Sequence, residues 1–187
     1  MNVKEAIRKR RAYRSLDPVE ISDDLIQDLA ECAQLFCSCF NNQPWQYVFV
    51  RDTETLKKMH EALSRGNEWA RAASMIIAVF SKPEADCMIK GRNYYLFDTG
   101  MATAAIILRA TELGLVAHPI AGYSPRKARE ILGIPGDTEV ITLVIVGKHS
   151  DTVSPVLSDK QIQAEKKRPE RKPLQSFVHI DTYKGKM

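Results

Sequence analysis

Apolar and polar positions along this chain change period several times, and each change predicts an element. Val3, Ala6 and Ile7 fall at helical spacing and are followed by Arg10 and Arg11. That predicts a short helix whose C-terminal end carries cations, where the helix dipole favours them. Ile21, Leu25, Leu29 and Ala33 recur every four residues behind Ser22, which predicts an N-capped amphipathic helix to about Phe36. Residues 37–45, CSCFNNQPW, break the pattern and read as a loop, because Pro44 disfavours helix before it. Tyr47–Val50 reads as a short strand, and Thr53 as the cap of a helix with Leu56, Met59 and Leu63 on its apolar face.

Further along, Ser74–Ser81 is apolar on both alternating faces, as in a buried strand. A long helix is predicted from about Arg92 to Leu113, with an alanine-rich, nearly all-apolar centre and a stop at Gly114. Val116–Gly122 reads as strand and turn. Ser124–Pro125 starts a helix that Gly133 closes, and Val140–Val146 is a second buried strand. The chain then turns polar for about 25 residues and ends in a short apolar stretch, Phe177–Ile180, with too little apolar surface to fold alone. It must lie on the body or on a second subunit. Helices and strands in this order predict an α+β or mixed α/β domain built on one sheet.

Composition narrows the class. Of 187 residues, 44% are hydrophobic and 27% charged, as in ordinary globular proteins. No apolar run is long enough to span a membrane, and the first residues lack a secretory stretch. The four cysteines, 32, 37, 39 and 87, fit a reduced cytoplasmic protein better than a disulfide framework. Scattered histidines and an unpaired C-x4-C-x-C predict no metal site. Asp98 reads as a helix-start charge, and no residue stands out as a catalytic acid or base.

The net charge of +4 is uneven. Residues 1–14 sum to +5 and residues 160–172 to +4, which leaves the rest at −5. Two basic ends on an acidic body ask for an anionic partner. The aromatics are not interleaved with the basic runs, which argues against a nucleic-acid-binding module. With no GxGxxG and no P-loop, the usual phosphate cradles are missing as well.

Four polar clusters remain: Arg10-Arg11-Ala12-Tyr13-Arg14, Ser38 to Trp45, Pro119 to Tyr123, and Arg168 to Pro173. In this order they resemble the nitroreductase family of flavoproteins. The family pattern is R-R-S-x-R, then S-x-x-N-x-Q-P-W, a small-residue helix ending in G-L, P-x-x-G-[FY], and a basic C-terminal segment before a proline. Ser38-x-x-Asn41-x-Gln43-Pro44-Trp45 is the most specific match.

The resemblance implies an α+β nitroreductase-like fold, a central mixed β-sheet flanked by helices. It implies a single domain over 1–187, with 160–187 as an arm reaching onto the partner of an intertwined homodimer. It further implies FMN, with NAD(P)H as transient donor of hydride to flavin N5, and a small acceptor such as a nitroaromatic or quinone. By position, Arg10 and Arg171 would meet the FMN phosphate, although Arg168 is an alternative to Arg171. Arg11 and the Ala12 backbone would flank the ribityl chain, and Arg14 the N1–O2 edge of the ring. Ser38, Cys39 and Asn41 would arrive from the partner subunit, and Ala121 and Gly122 would offer N–H groups near N5 and O4. Dehalogenation of iodinated tyrosines on the same scaffold is the alternative chemistry, with Ser64–Trp69 and Pro83–Asn93 as candidate lid. Two departures stand out. Ala12 replaces a serine, the loss of a hydrogen bond worth about 1 kcal/mol. Cys37 replaces a proline, so the loop carries two thiols, Cys37 and Cys39, expected to be bystanders.

Overall fold

The computed structural model describes residues 1–185; the last two residues of the expected arm lie outside the described residues. Six α-helices are described: α1 (Val3–Lys9), α2 (Asp23–Gln34), α3 (Thr53–Met59), α4 (Tyr95–Glu112), α5 (Pro125–Leu132) and α6 (Asp159–Lys166). The strands are β1 (Leu16–Asp17), β2 (Gln46–Val50), β3 (Met75–Ser81), β4 (Met88–Ile89), β5 (Arg92–Asn93), β6 (Leu115–Ile120) and β7 (Glu139–His149).

The eleven-residue β7 is the spine of the sheet. It pairs with β3, with β6 and, at its C-terminal end, with β1, while β2 pairs with β3. The expected mixed sheet is antiparallel in every described pairing. The α+β class holds.

Strand periodicity explains why VITLVIV and SMIIAVFS are apolar throughout. Ile76, Ala78, Leu143 and Ile145 face one side, against Val50, Met59, Ala62 and Ala128. Met75, Ile77, Val79, Val144 and Val146 face the other, against Leu29, Ala33, Ala102, Ile106 and Ala110 of α2 and α4. α4 lies close to the sheet because its contact residues are small. Two of its buried hydroxyls are satisfied within the helix: Thr103 donates to the Thr99 carbonyl at 2.7 Å and Thr111 to that of Ile107 at 2.8 Å.

Several boundaries differ from the sequence reading. α3 is capped by Asp52, whose carboxylate accepts the Thr55 N–H at 2.8 Å, so Thr53 is the first helical residue instead. α4 begins at Tyr95 because Arg92–Asn93 pairs with Met88–Ile89 as a small separate hairpin. The polar stretch after Gly147 holds α6, started by a reciprocal capping box between Ser158 and Gln161. The cysteines also depart from expectation: Cys39 and Cys87 form a disulfide with Cα atoms 6.3 Å apart. Their separation of 48 residues hid a proximity that only the folded loop and hairpin create. Cys32 and Cys37 are free. Among the described residues no helix is long and apolar enough to cross a membrane.

The C-terminal segment does not pack on its own chain. Leu174, Phe177, Val178 and Ile180 are all exposed, Ile180 at 73%.

Ala102 is fully buried between α4 and the sheet. Ala102→Leu is therefore expected to overpack this layer and lower stability by about 1–3 kcal/mol, read as a reduced urea midpoint with an unchanged m-value.

Candidate active site

The two basic ends meet. The segment leaving α1 and the segment leaving α6 enclose a cavity of about 160 Å³ whose wall includes Arg10, Arg11, Arg14, Arg168 and Arg171. Their backbones are held by a small set of hydrogen bonds. Arg11 donates from Nη2 to the carbonyls of Ala164 and Glu165, at 3.1 and 2.8 Å, which satisfies the open end of α6. Arg168 donates from Nη2 to the carbonyls of Arg8 and Arg10, both at 2.6 Å. Glu165 accepts the N–H groups of Arg14 and Ser15 and the Ser15 hydroxyl, the last at 2.6 Å.

That division of labour sorts the arginines. Arg11 and Arg168 spend donors on backbone carbonyls. Arg171 makes no hydrogen bond or ion pair among the described residues. Burial, then the charges of Arg168, Arg171 and Arg11, lower the pKa of Arg10. Burial tends to raise the Glu165 pKa, but its hydrogen bonds to Ser15 and Arg14 outweigh that and hold the carboxylate below its ordinary range. Glu165 is thus ionised but committed to backbone and Ser15. The cavity is a cluster of cations that asks for an anion.

A second set of contacts to the N-terminal segment is built on β6. His118, 7% exposed, contacts the Tyr13 carbonyl through Nδ1 at 3.0 Å and stacks on Trp69, with ring centroids 4.8 Å apart. Because a carbonyl only accepts, His118 is the Nδ1–H tautomer. The Arg14 guanidinium lies 5.9 Å from the Trp69 ring centroid. Trp69 donates to the Asn67 side-chain oxygen at 3.1 Å, and Asn67 donates to the Gly122 carbonyl at 2.9 Å. This network ties Arg14 to the end of β6. A Cβ on Gly122 would sit 2.3 Å from the Asn67 amide nitrogen, so a larger residue here would have to displace the Asn67 side chain from its hydrogen bonds. Among the described residues, nothing accepts the N–H groups of Ala121 and Gly122. Tyr123 is core: its hydroxyl donates to the Val140 carbonyl at 2.7 Å, and burial pushes its pKa up to about 12.

Ser38, Cys39 and Asn41 lie apart from the arginines. Ser38 and Cys39 line a different cavity of about 320 Å³, against Tyr94, Phe97 and Met101. The loop is left-handed at Phe40, Asn41 and Gln43. It is pinned by the Ser38 hydroxyl, which accepts the Gln43 N–H at 2.9 Å, and by Asp98, which accepts the Cys39 N–H at 2.6 Å. Asp98 is therefore more than a helix-start charge. It is 2% exposed, and its pKa is raised by burial, against the Cys39 hydrogen bond, with Asp86 adding to the rise. Pro44 and Trp45 do hold the loop to the sheet: the Pro44 carbonyl accepts the Ser81 hydroxyl at 2.8 Å, and Trp45 is buried. Among the described residues, the one group with metal-ligand proximity is Cys39, Asp86 and Cys87, and its two sulfurs are bonded to each other.

The candidate lid divides in two. Ser64–Trp69 is fixed, since the Ser64 N–H donates to the Gly122 carbonyl at 3.0 Å and Trp69 is buried. Pro83–Asn93 carries the exposed hairpin. Sequence reasoning passed over Asn67, Trp69, His118 and Glu165. Asn67 and Trp69 stood in the suspected lid, and Glu165 was one of two acids inside the second basic run.

His118 gives a pH test. Burial, against the Tyr13 hydrogen bond, lowers its pKa from 6.5 to about 4. The unfolded chain takes up this proton first. The stability carried by neutral His118 is complete above pH 6.5 and lost as pH falls toward 4. Urea midpoints across that window are expected to fall more steeply for the wild type than for His118→Asn, by up to about one proton.

The sequence matches the Nitroreductase family profile over residues 7–68 and 63–148. It is 34% identical over 152 residues to an Archaeoglobus fulgidus protein assigned as an NADH dehydrogenase/NAD(P)H nitroreductase, covering 78% of this chain and 84% of that one. Its fold matches a crystal structure of an oxidoreductase containing FMN, at TM-score 0.83 and 26% identity, over 100% of this chain and 95% of that one. A nitroreductase family protein of Clostridium novyi NT matches at TM-score 0.75 and 26% identity, over 81% and 87%. The chain belongs to the nitroreductase family of oxidoreductases.

Proposed function

We propose that this chain binds FMN at each of two sites in a homodimer and reduces a small acceptor, such as a nitroaromatic or quinone, with electrons from NAD(P)H. The observation that carries the reading is the convergence of Arg10, Arg168 and Arg171 on one cavity that, among the described residues, no carboxylate lines. A phosphate dianion fits that donor set, because guanidinium forks bind phosphate bidentately and remain charged. An FMN-containing neighbour of the same fold supports the choice of anion.

FMN, when bound, supplies the chemistry of taking a hydride at N5 and passing it on. The chain's own residues bind and orient. Arg10 and Arg171 hold the phosphate. Arg168 and Arg11 act through the backbone, fixing the carbonyls of Arg8, Arg10 and α6 so that the cradle keeps its shape. Ala12 retains only a backbone contact along the ribityl chain. Arg14, held near Trp69, brings positive charge to the N1–O2 edge, where charge accumulates on reduction. Ala121 and Gly122 present N–H groups to the N5 and O4 side.

Ser38, Cys39 and Asn41 complete the pocket from the partner subunit. Their separation from the arginine cavity within one chain supports a site shared by two chains. The exposed segment around Phe177–Ile180, with Phe177 59% exposed, is covered by that partner.

Anaerobic titration tests the activity. Purified or FMN-reconstituted protein is expected to bleach on NADH or NADPH and to recolour with a nitroaromatic or quinone. Failure of both nucleotides to bleach bound flavin would remove the NAD(P)H claim; protein that cannot take up FMN at all would remove the whole reading.

A further inference from the structure

We propose that Cys39 and Cys87 form a reversible thiol–disulfide site that latches the β4–β5 hairpin to the loop 38–43, and that a small or protein dithiol opens it. The proposal goes beyond the oxidoreductase activity and rests on it only for the loop's place beside the flavin.

Four observations point to it. First, the bond joins two segments that share no sheet, since β4 and β5 pair only with each other. Second, the disulfide is reachable. Cys39 and Cys87 are both partly exposed, and Cys39 forms part of the wall of an open cavity of about 320 Å³. Third, few other bonds connect the two segments. Among the described residues, the polar link between hairpin and loop is Asn42 donating to Asp86 at 3.2 Å. Tyr94 donates to the Cys87 carbonyl at 3.3 Å, but that closes the hairpin on itself. Fourth, the loop needs a restraint. Phe40, Asn41 and Gln43 are non-glycine residues at positive φ, and such backbone persists only where its surroundings hold it. A third thiol, the exposed Cys37, lines the same cavity two residues from Cys39, as resolving thiols do.

The exchange balances. A thiolate of the incoming dithiol attacks one sulfur of the Cys39–Cys87 bond. The other sulfur leaves and takes a proton. The reductant's second thiol then attacks the reductant sulfur of this mixed disulfide and expels the remaining protein sulfur, leaving Cys39 and Cys87 as thiols and the reductant as a disulfide. Two electrons and two protons pass to the protein. Once the bond opens, Asp98 still holds the Cys39 N–H, so the loop keeps its anchor on α4 while the hairpin is left with the Asn42–Asp86 hydrogen bond.

Thiol counting, peptide mapping and hydrogen exchange on the full-length protein test this without any NAD(P)H turnover. Without reductant, or after oxidised glutathione, denatured protein should show two reactive thiols and a linked Cys39–Cys87 peptide, against four thiols after dithiothreitol. Exchange over residues 83–93 should quicken at least about tenfold on reduction and slow again on reoxidation. Cys87→Ser should match the reduced pattern under both conditions. Four thiols persisting after oxidised glutathione, or hairpin exchange indifferent to reduction, would overturn the proposal. Neither result would touch FMN binding, which flavin titration reads separately.

Discussion

Glu165 holds the two ends of this chain together. Its carboxylate takes the backbone N–H groups of Arg14 and Ser15 and the Ser15 hydroxyl, from a helix some 150 residues away in sequence. In return, Arg11 closes the carbonyl end of that helix. These contacts place Arg10 beside Arg168 and Arg171, an arrangement that like-charge repulsion opposes. Glu165, an acid that could neutralise the cluster, is occupied in building it. That leaves the positive charge for a ligand.

The same N-terminal segment is fixed a second time from the sheet. His118 on β6 holds the Tyr13 carbonyl, and Trp69, stacked on His118, lies beside Arg14. Asn67 carries the linkage on to Gly122. A rigid antiparallel sheet thus sets the distance between the arginine segment and the strand end with its open N–H groups. The remaining elements of the site, around Ser38–Trp45, stand in another part of the chain, which a dimer would reunite.

Much of this was legible in the sequence, for physical reasons. Strong periodicity in Leu25–Ala33 and continuous apolarity in β3 and β7 left little choice of element. Ser124-Pro125 and Gly133 bounded α5 because cap chemistry is local. The short elements β1, β4 and β5 were not legible, since two-residue strands carry no period and exist only through their partners. The motif order indicated Arg10 and Arg171, but not that Arg168 and Arg11 serve the backbone. Nor could it reveal Glu165, whose charge looked like dilution of a basic run. His118 stood among scattered histidines and Trp69 in the suspected lid, yet both are buried and position the site. The Cys39–Cys87 bond was read wrongly because composition speaks of compartments while pairing depends on folded distance.

The central claim is that residues from both basic ends form one phosphate site. Affinities of FMN and riboflavin, which differ by the phosphate alone, test it most directly in the wild type and in Arg171→Ala. The account predicts that Arg171→Ala weakens FMN by about 10- to 100-fold, the range for loss of a charge-assisted hydrogen bond, while riboflavin binding changes little. Equal losses for both ligands, or no loss for FMN, would contradict it.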